Sequence, residues 1–320
     1  MIHERVLLIV GQTKDIHVER VSDLARSRGF LVHHIDREDQ EGKVVIHLEQ
    51  SVAHLYFDYK TNAQFKQEQV VCIWWRLKPT FQADYVGGTA TAGEKFRVSE
   101  WKPVIRSLPF MFPSAVCINN VDNHYNASIK PRQLLLAQQC GLKIPKTVIT
   151  NNADEVLDIF SPRTKLIYKT LNSFIVPPDE IVFTNLVSRN EIKSSKSQIA
   201  LAPCIFQEYI EKKFELRVTV VNSSVFCAKI DSQRLDETSI DWRRNQSANI
   251  YTPFELPDEA SNKLLRLHRT LGLDIAAYDL IVNKNDEYIF LECNPGGQWL
   301  WVEEHTKLPI TDSVAQLLCR

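Results

Sequence analysis

Residues 275–299 constrain the fold more than any other stretch, because they set acids inside runs that are otherwise built for burial. Residues 275–282 and 288–291 are rich in β-branched and aromatic side chains and predict two strands. Asn283, Lys284, Asn285 and Asp286 supply turn chemistry between them. Folding that hairpin brings Asp279 near Glu292. Glu292 and Asn294 stand two apart, so an extended chain points both to one face. Two carboxylates and an amide oxygen meeting at one spot form a hard, oxygen-only site of the kind magnesium prefers. Unpaired charge is costly to bury. The acids therefore either gather at such a site or lie on the rim of the sheet edge.

The chain's 320 residues suffice for a substantial core divided among two or three lobes. A net charge of -1 argues against a broad nucleic-acid-binding surface. No apolar run approaches membrane-spanning length, and Met1 to Arg5 do not open a secretory signal. The seven cysteines are scattered singly, and Cys72, Cys227 and Cys293 fall inside apolar runs. That pattern predicts buried thiols in a reducing cytoplasm rather than disulfides or zinc.

The first lobe, residues 1–120, opens strand–helix–strand over 6–10, 16–28 and 30–35, which predicts a parallel sheet with a right-handed crossover. Gly11 has no second phosphate-loop glycine after it, so a dinucleotide fingerprint is absent. Residues 43–58 read as paired strands and 70–75 as a buried strand. That strand ends in Trp74-Trp75-Arg76-Leu77-Lys78-Pro79, which either rims a ligand or packs a lobe interface. A helix over 93–108 is predicted to break near Pro103.

The middle lobe, residues 121–206, starts with a predicted helix over 126–140, with Lys130-Pro131 near its first turn. Asn152 and Glu155 suggest a capping box. A strand over 165–170 ends in Lys169, a position that calls for an anionic partner. The loop 170–184, with Asn172, Ser173, Pro177 and Pro178, contains no glycine and could cover a ligand without close backbone approach. A helix over 188–200 bearing Arg189, Lys193 and Lys196 is either a solvated face or a docking surface for a peptide.

The last lobe, residues 207–320, follows a strand over 204–210 and a polar hinge at Glu211-Lys212-Lys213. Glu215 and Arg217 alternate with apolar neighbours and share a face. Lys229, on the return strand, is expected to face the same cleft as Arg217, with an anion between the two cations. Ala260, Leu264, Leu267 and Leu271 predict an amphipathic helix closed by Gly272.

Taken in order, Lys130, Lys169, Phe206-Gln207-Glu208-Tyr209-Ile210, Glu215-Leu216-Arg217-Val218, Asp279 and Glu292-Cys293-Asn294 resemble the ATP-grasp ligase superfamily. Three stretches look more particularly like the graspetide, or microviridin-type, peptide macrocyclases: residues 130–137, the Trp74-Trp75-Arg76 strand end, and residues 291–299. The resemblance spans essentially the whole chain and is firmest over 114–301. It implies an α/β (α+β) ATP-grasp fold with an N-terminal α/β lobe and nucleotide bound between the central and C-terminal lobes.

Lys130 and Lys169 would then contact ATP phosphates, Gln207, Glu208, Tyr209 and Ile210 would form the adenine hinge, and Glu215 would accept from the ribose hydroxyls. Asp279, Glu292 and Asn294 would hold two magnesium ions, while Arg217 and Lys229 neutralise the transferred phosphoryl group. The substrate implied is a ribosomal precursor peptide, leader plus core. Its Asp or Glu carboxylates would be activated as acyl phosphates and closed onto Ser/Thr hydroxyls or Lys amines, by a homodimer. Arg189 and Lys193 are candidates for the leader. Arg243 and Arg244, in Asp241-Trp242-Arg243-Arg244, either guide an acidic peptide or form a solvated cluster. The glycine-free cover loop departs from the expected pattern, as does Leu77 where a second basic residue would follow Arg76.

Two other readings fit. One is an ATP-grasp ligase adding a free amino acid to a protein or small carboxylate. The other is a nucleotide-binding pseudoenzyme that docks a peptide without chemistry.

Overall fold

The computed structural model describes residues 4–12, 14–35, 43–49, 52–58, 67–77, 91–172, 175–176, 180–181, 184–245 and 250–320. Lys78, Pro79, Ser173, Pro177 and Pro178, named above, lie outside them.

The first lobe contains β1 (Arg5–Val10), α1 (Ile16–Ser27), β2 (Phe30–Ile35), β3 (Lys43–Glu49), β4 (Val52–Asp58), β5 (Val70–Trp75), α2 (Ala92–Met111) and β6 (Val116–Ile118). β2, β1, β5 and β6 lie in that order in a parallel sheet, as the opening pattern predicts, and β3 pairs with β4 antiparallel. Trp74 and Trp75 are buried in two different cores, one on each face of the sheet, so they are packing residues and not a ligand rim. α2 runs unbroken through Pro103 and Pro109. Ser99, whose carbonyl loses the N–H of Pro103, is exposed and can bond water instead.

Two helices follow, α3 (Val121–Ala127) and α4 (Lys130–Gln139), where the sequence predicts one. Pro131 has no N–H for the carbonyl of Ala127, four residues before it, so the helix cannot run through. Gln133 Nε2 takes that carbonyl at 2.6 Å.

The central lobe comprises β7 (Thr147–Thr150), α5 (Ala153–Ile159), β8 (Leu166–Lys169), β9 (Ile175–Val176), β10 (Glu180–Ile181), β11 (Asn185–Val187), α6 (Arg189–Ser194), α7 (Lys196–Ile199) and β12 (Cys204–Glu208). Its sheet, ordered β11-β8-β12-β7, is antiparallel, and β9 pairs with β10. Asn152 caps α5 through the N–H of Asp154, and Glu155 is exposed, so the motif is a simple cap. The helix predicted over 188–200 divides at Ser195.

The last lobe is a five-stranded antiparallel sheet ordered β15-β14-β13-β16-β17. Its strands are β13 (Lys212–Val221), β14 (Ser224–Ile230), β15 (Tyr251–Pro253), β16 (Ile275–Asn283) and β17 (Tyr288–Asn294). α8 (Asp258–Leu271) lays Leu264, Leu267 and Leu271 on one face of that sheet beside Leu134 and Ala137 of α4. Each leucine so buried contributes roughly 1.5–3 kcal/mol of transfer free energy. Gly272, at φ +67°, ends the helix in the left-handed conformation. The chain finishes with α9 (Leu300–Thr306) and α10 (Ile310–Leu318), which share a core with α1, β1 and β5. Among the described residues no helix is long and apolar enough to cross a membrane.

Candidate active site

The other face of the five-stranded sheet is where the charged residues gather. Packed helices cover the first face, so the two-residue alternation of β13 and β16 sends Glu215, Arg217 and Asp279 to the second. The hairpin predicted from residues 275–299 forms, with Asp279 opposite Glu292. Strict alternation along β17 would give Phe290 and Glu292 the same face. A β-bulge between the pairs Asp279/Glu292 and Leu280/Phe290 leaves Leu291 as the extra residue. Phe290 therefore stays in the core while Leu291 and Glu292 both reach the cleft.

That cleft lies between the central and last sheets and opens to solvent. Ile167, Lys169, Glu208, Tyr209 and Ile210 line one side, and Lys212, Glu215, Asp279, Ile281, Leu291 and Glu292 the other. Lys130 enters from the start of α4, and Asp241, Trp242 and Arg243 close the end. Ile167, Ile281 and Leu291 give it an apolar portion, while its charges concentrate around Glu292.

Lys130 Nζ donates to Thr170 O at 2.9 Å and stands 3.9 Å from Glu292 Oε2. Burial works against ionisation of Glu292, but Lys130, Arg243 and Lys169 prevail and hold its carboxyl down at about 2. The anionic partner expected for Lys169 is thus Glu292. Burial pushes both lysines down, against the pull of that carboxylate. Burial likewise lifts the Asp279 carboxyl above the ordinary range, against Arg217. Arg217 Nη1 grips Asp279 at 2.9 and 3.1 Å, and Nη2 donates to Gln298 O at 3.2 Å. Asn294 Nδ2 reaches Asp279 Oδ2 and Glu292 Oε1, each at 3.3 Å. Asp279, Glu292 and Asn294 therefore converge on one spot.

The donor set suits a hard cation. Two carboxylates are in place, and half a turn of the Asn294 amide would exchange its nitrogen for an oxygen. Among the described residues no group of three or more His, Cys, Asp or Glu side chains forms a metal cage. Such a site fits an ion that takes its remaining ligands from phosphate and water, as magnesium does.

Other residues fall differently from expectation. Lys229 lies opposite Leu216, and Arg217 opposite Ala228, so the two cations occupy opposite faces of the sheet. Lys229 Nζ pairs instead with Asp231 at 2.7 Å and sits over the ring of Phe214 at 4.8 Å. The single cleft expected for Arg217 and Lys229 does not form, because a one-residue difference in register reverses a side chain. Arg217 itself sits behind Asp279, where its grip holds the acid. The Arg189 guanidinium bonds Phe160 O and Leu157 O at 2.9 and 2.6 Å, closing the end of α5. Lys193 is exposed on α6 and is not part of the cleft wall. The side chain of Arg244 lies outside the described residues.

At the far corner, Gln207 Nε2 donates to Thr147 Oγ1 and Glu208 Oε1 accepts from Lys146 N, both at 2.8 Å. Those side chains brace the corner, where Glu208 N and Tyr209 N also donate to Lys146 O and Lys165 O. Glu215 accepts from Lys212 Nζ at 2.7 Å, and Lys212 also donates to Ile240 O at 2.9 Å. Lys212, read from sequence only as part of a polar hinge, is buried in the cleft wall. The irregular register between Lys212 and Phe214 puts it there, which no spacing rule predicts. Asp241, also missed, forks Arg243 at 2.8 and 2.6 Å and aims it over the cleft.

Two facing sheets that hold lysines against paired acids define a nucleotide-using ligase architecture. The family model described as the RimK-like ATP-grasp domain matches residues 127–318, and the chain belongs to that family of ATP-grasp ligases. No curated protein matches the sequence. Solved structures are similar over nearly the full length. A Chryseobacterium gregarium RiPP-associated ATP-grasp ligase, in complex with ADP and a leader and core peptide, is 27% identical, with a TM-score of 0.84 over 98% of this chain and 96% of that one. The macrocyclase MdnC of Microcystis aeruginosa MRC, bound with its precursor peptide MdnA, is 28% identical, with a TM-score of 0.82 over 98% and 99%. MdnB from the same source is 26% identical, with a TM-score of 0.78 over 98% and 99%.

Proposed function

We propose that the chain uses ATP to activate Asp or Glu side-chain carboxylates of a ribosomal precursor peptide and closes them onto Ser/Thr hydroxyls or Lys amines of the same peptide. The observation that carries this reading is the cleft itself: Asp279 and Glu292 on one wall, with Asn294 bonded to both, face Lys130, Lys169 and Arg243 across it. The likeness to ligases and macrocyclases solved with leader, core or precursor peptide supports the choice of substrate.

The adenine ring would lie among Ile167, Ile281 and Leu291, against the backbone of residues 207–210. Glu215, braced by Lys212, would accept from the ribose hydroxyls. Lys130 and Lys169 would meet the phosphates as mobile point charges. Magnesium, one ion or two, held by Asp279, Glu292 and Asn294, would draw charge from the phosphates and make the γ-phosphoryl group electrophilic. Arg217 keeps Asp279 aimed.

A carboxylate oxygen of the peptide attacks the γ-phosphorus, the bond to the β–γ bridging oxygen breaks, and ADP leaves. Arg243, fixed by Asp241, would steady the incoming carboxylate and then the acyl phosphate. The hydroxyl or amine next attacks the acyl carbon and phosphate leaves, closing a lactone or lactam. Lys193 with its neighbours on α6 is the proposed contact for an acidic leader, with Arg244 near the core peptide. The working unit is proposed to be a homodimer, which analytical ultracentrifugation checks.

The deciding experiment incubates the chain with ATP, magnesium and a candidate precursor, followed by mass spectrometry. Loss of one water per ring, with one ADP formed each time, is expected, and mild alkali then separates esters from amides. A mass gain by an added residue would identify a free-amino-acid ligase. Nucleotide binding without phosphate release under any substrate would identify a peptide-docking pseudoenzyme.

A further inference from the structure

Strand β17 is the outer strand of its sheet, and on its outer edge an isolated bridge to Lys143, whose O accepts from Phe290 N at 2.8 Å, is the backbone contact before the bulge. At Cys293, the residue between Glu292 and Asn294, a side chain fills that edge. Gln133 Oε1 accepts from Cys293 N at 3.0 Å, and Gln133 Nε2 donates to Cys293 O at 2.8 Å. A carboxamide that satisfies both groups of one residue does locally what another strand would do. Gln133 is buried, and its Nε2 also holds Ala127 O, the carbonyl freed by Pro131.

The location gives this bond its consequence. The bulge at Leu291 interrupts the ladder to β16 immediately before Glu292, so that ladder fixes the direction of the segment less firmly. Gln133 grips the segment from the opposite edge just past the interruption. Lys130 stands three residues earlier on the same helix and so shares a side of it with Gln133; its ammonium lies 3.9 Å from Glu292. One helical turn thus places a cation near the acid and fixes the backbone that carries it.

We propose that Gln133 is a positioning residue for the cation platform. It holds residues 292–294 so that Glu292 and Asn294 act together with Asp279 on one ion. The proposal rests on reading those three residues as the platform.

The test measures Mn²⁺ binding by electron paramagnetic resonance in the full-length protein saturated with a non-hydrolysable ATP analogue. Gln133→Met removes both bonds to Cys293 and the one to Ala127 O, Gln133→Glu keeps the acceptor for Cys293 N but sets an acceptor against Cys293 O and Ala127 O, and Glu292→Gln serves as the control. Both Gln133 variants should bind Mn²⁺ about tenfold more weakly or worse, as loss of a group that orients a ligand does. Their metal-free nucleotide affinity should be unchanged, and their turnover should recover in part at high magnesium. Wild-type Mn²⁺ binding by folded Gln133 variants, with binding lost in Glu292→Gln, would overturn the proposal and leave the platform standing. Wild-type binding by Glu292→Gln as well would overturn the platform reading itself. If circular dichroism shows that neither Gln133 variant folds, Gln133 serves the fold alone and the proposal fails.

Discussion

At Glu292 a half-buried carboxylate is kept ionised by three cations on different elements: Lys130 on α4, Lys169 on β8, and Arg243 in the 240–243 segment. Asp279 beside it is held through both carboxylate oxygens by one nitrogen, Nη1, of Arg217. Replacing either acid by its amide keeps the shape and removes the charge. Glu292→Gln and Asp279→Asn are each expected to lower ADP formation by more than about 100-fold, exceeding the loss from a group that only orients a ligand. Their circular dichroism spectra should match wild type, and unchanged turnover in both would refute the metal assignment. Lys169→Ala is expected to raise the KM for ATP at least about tenfold, as loss of a charge-assisted phosphate contact does. Arg243→Ala should leave that KM in place and raise the KM for the peptide. Steady-state kinetics with each substrate varied in turn distinguishes the two.

Among the elements, the turn after β17 is the tightest place in the site. A Cβ on Gly297 would meet Ala277 Cβ at 2.4 Å, Asn294 O at 3.0 Å and Arg217 Nη2 at 3.1 Å. The loop can lie on β16 because this residue has no side chain. Gly297→Ala is expected to destabilise the protein by about 1–3 kcal/mol, as overpacking of a filled site does. It should also slow turnover by pushing on Arg217 and Asn294. Adding Ala277→Gly should return part of both losses, read from denaturant midpoints and rates. Elements with one unambiguous period, such as α1 and α8, are legible in the sequence. The helix over 126–140 was not, because its break depends on Pro131 freeing the Ala127 carbonyl and on the Gln133 side chain turning back to take it, which helical periodicity does not register.

Across the molecule, the first lobe is bolted to the site. Arg76 Nη1 donates to Gly296 O and Gly297 O, each at 3.0 Å, its Nε bonds Asp15 at 3.0 Å, and its guanidinium lies 5.0 Å from the ring of Trp299. His17 joins the same knot, with Nε2 accepting from Trp299 N and Leu300 N at 3.0 and 3.2 Å, and Nδ1 on Asp15 at 2.7 Å. Arg76→Met should cost about 3 kcal/mol or more, because it removes one partner of a buried pair. It should lower kcat with little change in the KM for ATP, since Arg76 is not part of the cleft wall. Burial works against the Asp15 carboxylate, yet the hydrogen bond from His17 and the charge of Arg76 hold it well below the ordinary carboxylate range. An acid depressed by folding stabilises the protein above its unfolded value of about 3.9 and loses that contribution as pH falls towards the folded value. Stability should therefore decline below about pH 4. Asp15→Asn should flatten that decline while lowering the plateau at neutral pH, as denaturant titrations across pH would show.

The parallel opening of the first lobe, the hairpin of 275–294, and the residue types proposed for the site can be read from the sequence alone. Each of these follows from a period of two or 3.6, or from a residue's chemistry, and both are local. Which face each charge occupies follows from strand register and bulges in the folded chain. Lys229 is on the far side of the sheet by one step of register, and Glu292 is on the near side because of one extra residue at Leu291. Register and bulges are fixed by what the neighbouring strand and the covering helices can pack, and that information is spread over residues far apart in the chain.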